Sequence, residues 1–166
     1  MNNKYFVLLV CFLLTACGGE EADHSFNPAP SLVRFDVVDS YGVDTATSNQ
    51  PLTIDPYIYN GLFDVFWRVN SLEDYRVNIR INSTASVNNS ILVYSDVCGI
   101  GLACDQGGNS ICEYTSDFYL SCNNARNPTD IADLIKRVPQ DLYLILEVCD
   151  LDSPYCGYLY HRVSMQ

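Results

Sequence analysis

From Leu32 onward the apolar positions of this 166-residue chain recur with a period of two, the signature of strands that bury one face. Tyr75, Val77, Ile79 and Ile81 fall on one side of a run, and Arg76, Asn78, Arg80 and Asn82 on the other. Phe63, Val65, Trp67 and Val69 alternate likewise with Asp64, Phe66, Arg68 and Asn70. Leu142, Leu144, Leu146 and Val148 form a third apolar face, opposite Tyr143, Ile145, Glu147 and Cys149. Weaker strand patterns occupy residues 33–38, 52–54, 91–97 and 157–165, with a hairpin between Cys112 and Cys122. Arg68, Arg76 and Arg80 are placed by this pattern on one exposed strand face, with Asp64 as candidate ion partner. Residues 127–139 break the period. There Ile131, Leu134, Ile135 and Val138 follow i, i+3, i+4, i+7; Pro128 or Thr129 and Asp130 suit a helix start, Lys136 and Arg137 its end, and Pro139 stops it. The spacing predicts one short helix bridging two strands.

Seven to nine short strands with one helix make residues 32–166 an all-β domain, an antiparallel β-sandwich. The Trp67 strand, the alternating strand after it and the run Leu-Tyr-Leu-Ile-Leu-Glu-Val-Cys leading into a final hairpin loosely resemble bacterial immunoglobulin-like modules. A jelly roll or a small barrel would give nearly the same string. No repeat of 20–50 residues is visible in the sequence, which excludes a solenoid or propeller.

The start of the chain obeys a different rule. Lys4 precedes an unbroken apolar run, Tyr5 to Leu14, too short for a bilayer-spanning helix of about 20 residues. The run ends in Leu14-Thr15-Ala16-Cys17, which resembles the lipobox of bacterial lipoproteins. The resemblance implies that residues 1–16 are a signal peptide and that Cys17 carries acyl chains, palmitate among them, as the first mature residue. Three such chains make a practically permanent membrane anchor, each buried CH₂ contributing about 0.8 kcal/mol. Gly18 and Gly19 follow Cys17 in place of Asp, which by analogy with lipoprotein sorting places the protein at the outer membrane. Residues 17–31, acidic and containing Pro28 and Pro30, read as the lipidated N-terminus and a flexible tether.

Of eight cysteines, Cys11 lies in the leader and Cys17 is the lipidation candidate. Cys98, Cys104, Cys112, Cys122, Cys149 and Cys156 remain, an even number in an exported chain, and read as three disulfides. Six cysteines allow fifteen pairings. Local spacing favours Cys112 with Cys122 across a three-residue turn centred on Asp117, Cys149 with Cys156, and Cys98 with Cys104 around two glycines. A zinc site is the weaker reading, because the spacings are irregular.

The net charge of −11 becomes about −12 once Lys4 leaves with the leader. The remaining basic residues are scattered, which argues against nucleic acid and against electrostatic docking on anionic lipid. His24 lies in the tether, and His161 shares a strand face with Leu159, Val163 and Met165, so it reads as a core or edge histidine rather than a base. No nucleophile elbow, metalloprotease or phosphate-loop motif occurs in the sequence, no cofactor is implied, and a non-catalytic protein is the expectation. Asp150 with Asp152, or Asp36, Asp39 and Asp44, could meet calcium, but neither stretch has the twelve-residue loop pattern, so solvated acidic loops are the better reading and no metal is assigned. Tyr57, Tyr59 and Tyr155 sit among turn residues and are candidate ligand contacts, because a tyrosine ring offers area at low entropy cost. Tyr158 and Tyr160 read as strand residues. These features point to an anchored envelope lipoprotein whose domain binds or assembles with an envelope protein. A carbohydrate-binding module and a structural lipoprotein without a ligand are the alternatives.

Overall fold

A computed structural model describes residues 28–123 and 127–166. They form ten strands in two five-stranded sheets. The first sheet orders β1 (Ser31–Asp39), β3 (Leu62–Asn70), β6 (Gly107–Tyr114), β7 (Tyr119–Cys122) and β8 (Thr129–Asp130) side by side. The second orders β2 (Leu52–Ile54), β10 (Cys156–Met165), β9 (Gln140–Asp150), β4 (Tyr75–Asn82) and β5 (Ile91–Cys98). All neighbours are antiparallel except β2 and β10, which run parallel, a departure from the fully antiparallel expectation.

The inner faces of the two sheets share one core. Tyr75, Val77, Ile79 and Ile81 of β4 and Leu142, Leu144, Leu146 and Val148 of β9 are fully buried against Phe63, Val65, Trp67 and Val69 of β3. This is the alternation of the sequence made physical. Two bulges shift it locally: Val33 is the extra residue in β1 and stays exposed, while Val93 is the extra residue in β5 and is buried.

All three local disulfides form: Cys98 with Cys104, Cys112 with Cys122 and Cys149 with Cys156. Cys112 and Cys122 stand directly opposite each other on β6 and β7. The turn between them carries Thr115 N–H to Tyr119 O and Phe118 N–H to Thr115 O bonds, with Phe118 at φ +64°, which makes it a three-residue loop centred on Asp117.

The expected helix over 127–139 is absent. The segment begins as β8, which pairs with β7, and Ile131 N–H bonds to Phe118 O, drawing Ile131 into the core. Asp130 then caps Ala132 N–H, and Ala132–Leu134 makes one 3₁₀ turn. Pairing with an existing sheet satisfies the backbone at once, whereas an isolated helix of this length nucleates poorly. Ten strands and no α-helix among the described residues replace the seven to nine strands and one helix expected.

The outer face of the second sheet is less wet than its polar sequence suggests. Asn78, Asn82 and Glu147 are buried there, and Ile145 is fully covered between Tyr160 and Arg80. Arg80 Nε donates to Glu147 Oε2 at 2.7 Å, Asn78 Nδ2 donates to the same oxygen at 2.9 Å, and Ser95 Oγ donates to Asn78 Oδ1 at 2.7 Å. Asn82 Nδ2 ties down the loop after β4 through Ser86 O and Asn88 O. Arg68 lies in the first sheet and Arg76 and Arg80 in the second, so the three share no face, and Arg80 pairs with Glu147 rather than Asp64.

The leader, Cys17 and most of the proposed tether lie outside the described residues. Pro30 is already buried and β1 starts at Ser31, so the domain begins just before Leu32. No helix among the described residues is long and apolar enough to cross a membrane.

Candidate functional site

The register sorts the loops into two ends. Ser31 pairs opposite Asn70, Tyr75 opposite both Cys98 and Asp150, and Cys149 opposite Cys156. The start of β1, the Cys98–Cys104 loop and the Cys149–Cys156 loop therefore share one end. Asp39 pairs opposite Phe63, Met165 opposite Gln140 and Ile54, and Cys112 opposite Phe63. The loop after β1, the loop between β2 and β3, and the Asp117 turn share the other. The nine residues of β3 separate the two ends by roughly 30 Å.

This division splits the tyrosines singled out by sequence. Tyr57 and Tyr59 lie at the far end, while Tyr155 lies in the Cys149–Cys156 loop where β1 begins. The three do not form one contact cluster. At the far end Tyr59 instead packs on Tyr41, ring centroids 4.3 Å apart. Tyr57 is 86% exposed, and Tyr41, Val43 and Ile58 are also exposed, forming an apolar tip where turn residues would ordinarily be polar.

Local chemistry holds this tip in place. Asp39 Oδ1 accepts Val43 N–H at 2.7 Å, closing the turn that presents Tyr41. Asp55 Oδ1 accepts Tyr57 N–H at 2.8 Å, an Asx-turn, and Ile58 N–H returns to Asp55 O. Tyr59, Asn60 and Gly61 then all adopt positive φ. For Tyr59 this costs about 1 kcal/mol, so the ring is held out by a backbone it does not prefer. Gly61 is required outright, because a Cβ there would lie 2.0 Å from Tyr114 O.

Beneath the tip is a cavity of about 150 Å³. Leu52, Ile54, Ile58 and Leu62 supply apolar wall, and Asp39, Asp44 and Asp55 supply three carboxylates. Among the described residues no basic side chain lines it. The acidic field reaches the surroundings: partial burial, and then Asp39, raise the pKa of Asp64 above the usual carboxylate value. Burial, and then the Asp55 carboxylate, raise that of the Tyr114 phenol, which is fully buried and has no hydrogen-bond partner among the described residues.

The chain matches no protein-family model and no curated protein. The site must therefore be read from its own geometry.

The other sequence candidates resolve as follows. His161 packs its ring against Phe35 at 5.1 Å and donates from Nε2 to Phe35 O at 2.8 Å, joining the two sheets. Asp36 pairs with Arg34 and does not join Asp39 and Asp44 at the pocket. Asp150, Asp152 and Glu73 bring carboxylate oxygens within 4.8 Å of one another at the end where β1 begins. Hydrogen bonds, first from the Ser153 hydroxyl and then from backbone N–H groups, lower the pKa of Asp150, so the loop's own donors satisfy it. Tyr41, Asp55 and Ile58 were not legible as site residues. Their signal was an apolar or aromatic side chain inside a turn flanked by aspartates.

Proposed function

We propose that this chain is an outer-membrane lipoprotein, anchored through Cys17, whose immunoglobulin-like β-sandwich is a non-catalytic module that binds an envelope protein with its apolar, acidic tip. The observation that carries the reading is the position of the tip. The exposed Tyr41–Tyr59 pair and its pocket lie at the end opposite the start of β1, so they are the part of the domain farthest from where an N-terminal tether would join it. Two of the three disulfides lie at the β1 start, and the third, Cys112–Cys122, braces the far end. Cys112 also stands opposite Phe63, so this disulfide lies beside the start of β3, where the loop carrying Tyr57 and Tyr59 enters the sheet. A carbohydrate-binding role would have to use Tyr41, Tyr57 and Tyr59 without Tyr155.

The test is crosslinking in intact cells with the natively lipidated protein as bait and Cys17→Ala as control. One stoichiometric envelope protein held only by the anchored form is the expected result. Equal capture by both forms, or none by either, contradicts the anchored-module reading.

A further inference from the structure

The tip pocket combines two features that rarely serve the same structural purpose. Its wall is largely apolar, and the charges that line it among the described residues are all negative. Asp39 and Asp55 spend one oxygen each on their turns, and Asp44 makes no side-chain hydrogen bond or ion pair among the described residues. The charge is not needed to hold the loops, since a neutral amide oxygen would accept the same two N–H bonds. Grouping like charges around an apolar cavity is unfavourable until an opposite charge arrives.

The complementary group is a cation on an apolar stem. The cavity volume is that of a void able to admit a benzene-sized group. A guanidinium matches better than an ammonium: it is planar, it stacks on tyrosine, and it engages two carboxylates at once. Tyr59 lines the pocket and packs on the exposed Tyr41, and Val43 and Tyr57 are exposed on the same two loops, so the apolar surface continues past the pocket and fits the surface flanking that side chain on a protein better than a free amino acid. Resting on the reading of the domain as an anchored binding module, we infer that the pocket receives an arginine side chain of the partner protein, its methylenes against Leu52, Ile54 and Ile58 and its guanidinium among Asp39, Asp44 and Asp55.

The probe is N-acetyl-arginine amide, titrated into the full-length isotopically labelled chain in detergent, with the neutral isostere N-acetyl-citrulline amide as control. Backbone NMR shifts should concentrate in residues 39–44 and 54–62 for arginine and be absent for citrulline. Asp39→Asn and Asp55→Asn keep the oxygen that accepts from Val43 and Tyr57, and Asp44→Asn has no bond to lose, so all three should fold. Each should weaken arginine binding by roughly tenfold, the value of one charge-assisted hydrogen bond, while Asp152→Asn at the opposite end leaves it unchanged. Equal shifts with citrulline, shifts scattered over the surface, or affinity indifferent to the three aspartates would overturn the inference. Arginine amide that leaves the tip unmoved does so even where a partner is captured in cells. Loss of partner capture with arginine amide still bound instead refutes the module reading and leaves the pocket chemistry standing.

Discussion

Tyr75→Phe removes one oxygen from the centre of the domain and should have a cost out of proportion to its size. The ring is fully buried on β4, and its hydroxyl lies 2.8 Å from Cys104 O and 2.9 Å from Asp105 O. Among the described residues Tyr75 is the only β4 side chain that hydrogen-bonds to the backbone of the Cys98–Cys104 loop and its continuation. A net hydrogen bond is worth about 1 kcal/mol, and an orphaned buried carbonyl adds about 1–3 kcal/mol. Asp105 O can turn to water, while the nearly buried Cys104 carbonyl cannot easily do so. The loss should thus be about 2 kcal/mol. Urea unfolding, followed through the single buried Trp67, reads this as a midpoint lowered by about 1 M. The pH dependence gives a second readout. Burial raises the Tyr75 phenol from its ordinary 10 to about 12. The folded state then holds its proton where the unfolded state has lost it. Its contribution is complete below pH 10 and is lost as pH rises through 12. Burial also raises Tyr94 and Tyr114, so the variant should lose only part of the alkaline slope. An unchanged midpoint, or an alkaline slope identical to that of the parent, would refute the reasoning.

Arg80→Met should destabilise by about 3 kcal/mol, because it leaves the buried Glu147 carboxylate with only Asn78; adding Glu147→Leu should recover most of that loss in a thermal double-mutant cycle. Replacing Cys112 and Cys122 together by serine should cost more than replacing Cys149 and Cys156. The loops predict about 2–3 kcal/mol for either pair, but the first also leaves polar hydroxyls at fully buried positions, and calorimetry of the two variants gives the order. Gly61→Ala should destabilise by about 3 kcal/mol or more through collision with Tyr114 O, and should scatter the NMR resonances of residues 54–62.

What could be read in advance was whatever a local pattern encodes. The period-two runs on β3, β4 and β9 placed all twelve of their core residues on the correct face, because register is set by burial. The disulfide pairs were legible because each closes a loop of ten residues or fewer. The segment 127–139 misled because its apolar spacing satisfies a helix, while the partner that decides its fate, β7, precedes it by several residues and is a neighbour only in space. Glu147 illustrates the same limit on the outer face. Its alternation says solvent, but Arg80 and Asn78 on β4 reach it from 67 and 69 residues away. The candidate site was half visible. Tyr57 and Tyr59 stood out in their turn, whereas joining them to Tyr41 and separating them from Tyr155 depends on which end of the sheets each loop closes.

The most direct test of the central claim places a photo-crosslinking residue at Tyr57, and separately at Tyr155, in the full chain in intact cells. Both side chains are exposed and they lie at opposite ends of the strands, so only orientation and function distinguish them. The account predicts one discrete envelope protein joined to position 57 and none joined to position 155. Crosslinks at 155 alone, or the same products at both positions, would contradict it.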